Sequence, residues 1–226
     1  MEMNIQTQQK INKKPSVLGV IFSPTVQFER MKKHVNVLNS FLLLIFLSVV
    51  AGMLVMYAYS QTPEAMQEME GIVDNAASSL QVKLIFTCTI AFVGALFTYT
   101  IKAGIYKVFL IFMGNNTTYK TILCITIYAN IITVIGKILN GIIAVLIGGS
   151  GQETYTSVAM LFGSGTMLYE FGDTIDIFSV WALIVMWIGL RITAELSKKQ
   201  ATLFVSILFI FSFISAIFSG FIGNMS

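Results

Sequence analysis

The sequence predicts an all-α, polytopic integral membrane protein: a five-helix transmembrane bundle with a cytoplasmic N-terminus and the C-terminus outside. Three observations predict it. Hydrophobic residues make up 56% of the 226 and charged residues 11%, against about 25% charged in a soluble domain, and the mean hydropathy is +0.80. The apolar residues are gathered into runs long enough to span a bilayer. Lys and Arg lie in alternate connections between those runs, the pattern that sets orientation. The size accommodates one membrane domain without a soluble catalytic domain beside it. The net charge of +3 sits in loops, which argues for orientation and against nucleic-acid binding.

Residues 1–36 read as a cytoplasmic tail and 37–222 as the transmembrane domain. Residues 1–14 are polar, rich in Gln, Asn and Lys, a composition of disorder. The apolar run Val17 to Phe22 stops at Ser23-Pro24, where Ser caps a helix and Pro fits its first turn. The helix over 24–33 carries Val26, Phe28 and Met31 as apolar positions and Arg30, Lys32 and Lys33 as charged ones. It is expected to lie in the headgroup plane; the alternative is a juxtamembrane linker whose bases only obey the orientation rule. No cleavable signal is expected, because the first long apolar run begins near Val37.

The first span, 37–59, ends in Tyr57 and Tyr59, suited to the interface. Gln61 to Gln81 holds Glu64, Glu68, Glu70 and Asp74 and no base. The second span, 82–106, meets Lys102 late in its course, with Lys107 just beyond, and both are expected to snorkel. Gly114 to Thr118 is a polar loop with capping residues for the third span, 119–141. That apolar run continues to Ile147, longer than a span needs. Lys137 and Asn140-Gly141 mark where it should bend or leave the core. The segments 142–147 and 156–169, broken by Gly148-Gly149-Ser150-Gly151 and Gly163-Ser164-Gly165, suggest an interfacial or re-entrant stretch.

The fourth span, 176–196, has the clearest polarity. Asp176 opens it at the positive end of the helix dipole and Arg191 lies near its close, and 21 residues at helical rise give about 31 Å. A basic turn follows, then an uncharged fifth span, 202–222. Bases fall in the N-terminal tail (Lys10, Lys13, Lys14, Arg30, Lys32, Lys33), around the second connection (Lys102, Lys107, Lys120) and around the fourth (Arg191, Lys198, Lys199). The other two connections are acidic, with Lys83 the lone base at a span boundary. Five spans with the N-terminus inside produce this alternation.

Little here resembles a reactive site. Lys137 is the base set deepest in an apolar stretch, and a Lys at the bilayer centre costs about 3 kcal/mol. It lies about 27 Å along the helix from Tyr119, near the outer boundary, so snorkelling or pairing with Asp173 or Asp176 is expected in preference to a solute or proton path. Lys137 and Asp176 form the candidate interhelical polar pair. The Gly148–Gly151 run imitates an intramembrane serine protease, but the single His34 lies before the first span on the opposite side. Glu170 and Asp173 do not suit a paired-aspartate protease. No Cys, His and carboxylate spacing suits a metal, and no phosphate loop is present, so no cofactor is expected. Cys88 and Cys124 fall in apolar runs and read as small buried hydrophobes. Ser215, Ser219 and Gly223, with Ala216 and Gly220 beside them, would let helix backbones approach closely, within the chain or with a partner.

Three groups of residues carry a family likeness. They are Phe22-Ser23-Pro24 with Phe28, then Tyr119-Lys120 with Tyr128, and the segment Asp176, Phe178, Trp181, Gly189 with its basic turn into Ala201. This pattern resembles the signature of the Yip family, multi-span membrane proteins named for Golgi members that contact small Ypt/Rab GTPases. The resemblance implies five spans with the N-terminus inside. Where the family often has a proline after the third-span tyrosine, this chain reads Ala129-Asn130-Ile131-Ile132, so the associated bend is not carried over. The tail is shorter than in Golgi members, and GTPase contact is not carried over either. The chain most resembles bacterial members, and among them a type that is associated with ABC exporters. That implies a place in the bacterial cytoplasmic membrane and an ABC-type exporter among its integral membrane partners.

The expected function is a non-enzymatic accessory or scaffold protein, in contact with the lipid bilayer and other membrane proteins, a second copy of itself included. Lys32, Lys33, Arg191, Lys198 and Lys199 are the candidate partner-contact residues. The alternative is a small channel or transporter for an unknown solute, with Lys137 and Asp176 near its outer mouth.

Overall fold

A computed structural model describes residues 14–70, 80–163 and 166–223. The expected disorder of the first residues, Asp74, and the middle of the Gly163–Gly165 break fall outside them. So do the side chains of Glu68, Glu70, Lys83, Ser219 and Gly220 and the small-residue stripe they complete with Gly223.

The described chain is helical. In order it comprises α1 (Gly19–Phe22), α2 (Pro24–Lys33), α3 (Val37–Ser60), α4 (Pro63–Glu70), α5 (Leu80–Phe112), α6 (Tyr119–Ile147), a 3-10 turn (Val158–Leu161), α7 (Met167–Asp173), α8 (Ile177–Ile192) and α9 (Lys198–Gly223). Extended pairing among the described residues is limited to an isolated antiparallel bridge, Ser157 to Asp176. Among the described residues four helices are long and apolar enough to cross a membrane: α3, α5 from Leu84, α6, and α9 to Phe218.

The remaining apolar helix, α8, is shorter than its sequence suggests. It has 16 residues, or about 24 Å at helical rise. Both ends have a local cause. At the start, the Asp176 carboxylate accepts from the Ser179 backbone N–H at 2.9 Å, which makes Asp176 a cap and not a helical residue. At the end, Glu195 takes the left-handed conformation, φ 55°, so the chain turns out. Leu196 N–H then bonds back to Leu190 O, and Arg191 Nη1 donates to Leu196 O at 3.1 Å, satisfying a carbonyl beyond the helix.

Helix α6 corrects a second expectation. It runs unbroken through Lys137 and Asn140-Gly141 to Ile147. Asn140 Nδ2 donates to the Gly136 carbonyl one turn back, at 3.0 Å, so the amide is satisfied within helical geometry. Gly141 serves a close approach: a Cβ there would lie 2.9 Å from Leu54 Cβ. The run Ala129 to Ile132 is also regular helix, as the missing proline allows.

The chain divides into two compact units. The first comprises residues up to 43, 98–132 and 181–211; the second comprises 44–97, 133–180 and 212 onward. In the first, Phe28 and Met31 of α2, Ile125 and Tyr128 of α6, Leu190 of α8 and Phe204 of α9 are buried. Phe204 receives the rings of Tyr106 and Phe109 edge-on. In the second, Ala144, Val134, Ala58 and Ala159 are buried. Of the four long helices α6 carries most of the internal packing, with 61% of its most apolar stretch buried, against 6% for α5 and 11% for α9. The outward sides of α5 and α9 are therefore apolar surface that lipid or another membrane protein covers. Cys124 is buried as its apolar setting predicts, whereas Cys88 on α5 is half-buried; both are free thiols.

Candidate functional site

The first unit gathers the base-bearing segments. Thr193 Oγ1 donates to Phe28 O at 3.3 Å, joining the end of α8 to α2. The Ala194 carbonyl accepts from Asn115 Nδ2 at 2.9 Å and Thr117 Oγ1 at 3.2 Å. Gln200 Nε2 donates to Met113 O at 3.2 Å, and Lys32 Nζ lies 3.0 Å from Glu195 Oε1. The α8–α9 turn is thus held from the α2 segment and the α5–α6 loop together. This polar turn needs partners for its carbonyls; Asn115 and Thr117 of the α5–α6 loop supply them to Ala194, and Gln200 of α9 returns a bond to the Met113 carbonyl.

Of the predicted contact residues, Lys33, Lys198 and Lys199 are exposed, and Lys32 is tied to Glu195. Arg191 lies with its guanidinium carbon 5.7 Å from the Trp187 ring centroid. An exposed ion pair such as Lys32–Glu195 contributes under about 1 kcal/mol, so its value here is positional.

The signature residues converge as well. A Cβ on Gly189 would lie 2.7 Å from Ile125 Cγ2 and 2.8 Å from the Phe28 ring. The Phe28 ring lies 6.3 Å from that of Tyr128, whose hydroxyl accepts from Ser40 Oγ at 3.2 Å. Gly189, Phe28 and Tyr128, far apart in sequence, are therefore one packing unit joining α2, α6 and α8. Pro24 is buried at the first turn of α2. Tyr119 Oη donates to Thr100 O at 3.0 Å. Trp181 is half-buried, and Phe22 is 88% exposed.

In the second unit Asp176 is buried, 5% exposed. One carboxylate oxygen accepts from Thr156 Oγ1 at 2.5 Å and the other from Ser179 N–H. Thr156 N–H donates to Asn140 Oδ1 at 3.1 Å, and Asn140 Nδ2 donates to Thr156 Oγ1 at 2.9 Å. Backbone bonds run from Val158 N to Ile175 O and from Ile177 N to Thr156 O. Asn140 and Thr156 thus stand where Lys137 was expected beside Asp176; Lys137 is exposed and does not join the cluster. Phe178, two residues on, packs its Cβ against Gly136. Asn140 signals its role in the sequence as an amide within an apolar run, whereas Thr156 carries no signal, because only the fold of the loop brings it there.

One carboxylate and one amide, each bonded to the Thr156 hydroxyl between them, form a clamp that fixes the 154–158 segment across the start of α8. Among the described residues no group of three or more His, Cys, Asp or Glu could hold a metal. Asp176→Ala removes a helix cap and a charge-assisted bond, and is expected to destabilise by about 2 kcal/mol. Asp176→Asn should recover part of that, and thermal melting of both variants measures it. An Ala variant that melts with the wild type would show that the clamp contributes nothing.

Nearby, Glu153 Oε2 accepts from Ser150 Oγ at 3.0 Å and Tyr155 Oη at 3.1 Å. Burial is the largest influence and raises the Glu153 pKa, but hydrogen bonds from its own backbone, Ser150 and Tyr155 outweigh it, leaving the carboxyl below its usual value. Burial, then the bond and charge of Glu153, push the Tyr155 hydroxyl up to about 12. With the folded Glu153 pKa below the unfolded one, its contribution is present above the unfolded value of about 4.3 and is lost as pH falls through the folded value. Amide exchange in 150–156 should therefore quicken from about pH 6 to about pH 3 relative to the intrinsic rate, and less so in Glu153→Gln. Equal acid sensitivity in the two proteins would remove Glu153 as the cause.

These helices and their polar joints define a polytopic α-helical membrane protein held by close helix packing. The chain matches the Yip1 domain over residues 18–220 and belongs to that family. It is similar to the membrane protein YknW of Bacillus subtilis (strain 168), with 29% identity over 235 residues that cover 100% of this chain and 99% of YknW. No solved structure matches it.

Proposed function

We propose that this Yip family protein is a non-enzymatic accessory protein of a bacterial cytoplasmic membrane that assembles with another integral membrane protein. An ABC-type exporter is the partner class implied by the sequence resemblance. The observation that carries the reading is the α8–α9 turn, held by Asn115, Thr117, Arg191 and Gln200 while Lys198 and Lys199 stand exposed beside it. A rigid charged surface without a nucleophile or an acid–base pair suits docking, because ordering costs have already been met in the fold.

The reading takes residues 37–222 as a five-span domain, N-terminus inside and C-terminus outside, following the alternation of bases. Helix α8 serves as the fourth span. It is about 6 Å short of a hydrocarbon core of roughly 30 Å. The 154–158 segment bonded over its start supplies partners for backbone groups that lipid could not.

The test is affinity purification from native membranes in mild detergent. A stoichiometric transporter ATPase or permease is expected to co-purify, and Lys198→Glu/Lys199→Glu should lose it while inserting normally. Recovery of a homo-oligomer or monomer alone, or a complex indifferent to charge reversal, would overturn the reading. Lys137→Met addresses the channel alternative: unchanged solute flux in reconstituted vesicles is expected, and loss of flux by a folded variant would favour transport.

A further inference from the structure

We propose that α1 is a lipid wedge: Leu18 and Phe22 enter the headgroup–acyl boundary of an anionic leaflet, while α2 anchors them to the protein. The sequence assigns interfacial contact to α2, yet the apolar side of α2 is already used. Phe28 and Met31 are fully buried in the first unit. The large apolar side chains this segment leaves outside stand at the two ends of α1: Leu18, the residue before it, is 67% exposed and Phe22, its last residue, 88%, while Val20 between them is buried.

Helix α1 is clamped in place. Gln27, 4% exposed, accepts from Ser16 N–H at 2.8 Å and donates to Ser23 Oγ at 3.4 Å. Ser23 Oγ in turn donates to Gly19 O at 3.1 Å. A Cβ on Gly19 would come within 2.6 Å of Gln27 Nε2, so α1 lies directly against α2. The wedge is therefore preorganised, which lowers the entropic cost of inserting it.

Three observations name lipid as the occupant. The first is depth. Phe28 packs against Ile125 and Gly189 where a Cβ would stand on Gly189. Ile125 lies about 9 Å along α6 from its first residue, and Gly189 about 4.5 Å from the last residue of α8, so α2 sits beside the end turns of the apolar helices. Only residues 34–36 separate it from α3, a connection that reaches at most about 14 Å. The second is charge. Lys14 and Lys33 are exposed on the same segment, beside the Lys32–Glu195 pair, and bases flanking exposed Leu and Phe are the composition that binds anionic leaflets. The third is size. Two side chains fall far short of the roughly 800 Å² per partner of a stable protein interface, whereas a lipid wedge needs no more than this.

The test uses the full chain carrying Cys88→Ala, with Cys124 left in place because it is buried. Single cysteines at Leu18, Phe22 and, as an aqueous reference, the exposed Asn116 of the α5–α6 loop are spin-labelled in phosphatidylglycerol–phosphatidylethanolamine vesicles. Collision with oxygen is then compared with collision with a water-soluble nickel complex. The oxygen-to-nickel ratio at Leu18→Cys and Phe22→Cys is expected to be several-fold above that at Asn116→Cys, and to fall in phosphatidylcholine vesicles. A ratio equal to the reference would place α1 in water, and exclusion of both reagents would place it under protein, a second copy or a partner. Either result overturns the wedge. A ratio indifferent to the headgroup overturns its anionic character.

Discussion

Gly136→Leu is expected to leave little folded protein after detergent extraction. Gly136 is buried in α6, and a Cβ there would stand 2.7 Å from both Cβ and Cγ of Phe178 on α8. Phe178 Cβ is fixed to its own backbone, so no rotamer change relieves the clash; α6 and α8 would have to separate. In a bilayer, helices pair through close packing without a hydrophobic drive between them, so separation forfeits the main attraction. Overpacking costs about 1–3 kcal/mol where a core can yield, and the upper end or beyond is expected here. Gly136→Ala should cost less, because alanine returns about 1 kcal/mol of helix propensity. Phe178→Gly, which removes that Cβ, combined with Gly136→Leu should recover part of the loss, the signature of direct coupling. Tryptophan fluorescence melts and size-exclusion profiles read all three variants. A Gly136→Leu protein that melts with the wild type would mean that α6 and α8 are not in contact at this point.

Gly189→Leu should act on α2 more than on the long helices. Its neighbours are the Ile125 methyl and the edge of the Phe28 ring, side-chain atoms that can give way if α2 leaves. Undocking α2 exposes Phe28 and Met31, both fully buried, and breaks the bond from Thr193 to Phe28 O. Burying two such side chains holds α2 in place by about 1.5–3 kcal/mol each; a leucine at 189 occupies the space of the Ile125 methyl and the Phe28 ring and offsets that stabilisation, so the undocked population of α2 is expected to rise in the variant. Trypsin reports it directly, because Arg30, Lys32 and Lys33 lie on α2. Cleavage there should rise by an order of magnitude or more, tracking the open population, while the melt of the remaining protein shifts less than in Gly136→Leu. Unchanged cleavage would show that Gly189 is not the seat of α2.

The two glycines also show how much of this protein can be read from its residues. Gly189 stands out through the family signature, whereas Gly136 does not: a glycine in an apolar run is common, and only its approach to Phe178 gives it meaning. Asp176 is legible as a helix start because an acid at the positive end of a dipole is favourable whatever surrounds it. Its partner is not legible, because Thr156 reaches it through a loop whose path no periodicity encodes. Lys137 looks like the natural counter-charge by sequence distance, yet the clamp is completed by a neutral hydroxyl and an amide.

The sequence by itself determined the class and the apolar helices, since hydropathy over a span length needs no knowledge of neighbours. It also determined the alternation of basic and acidic connections, which rests on composition alone. Tertiary structure decided where α8 begins and ends, since a cap at Asp176 and a left-handed turn at Glu195 depend on the groups that meet them. It decided that α6 continues as helix past Asn140, because Gly136 O and Thr156 satisfy the amide. It also decided that Phe28 and Met31 face protein while Leu18 and Phe22 do not. Amphipathic spacing states that a helix has an apolar side; which surface that side meets is settled only by the residues packed against it.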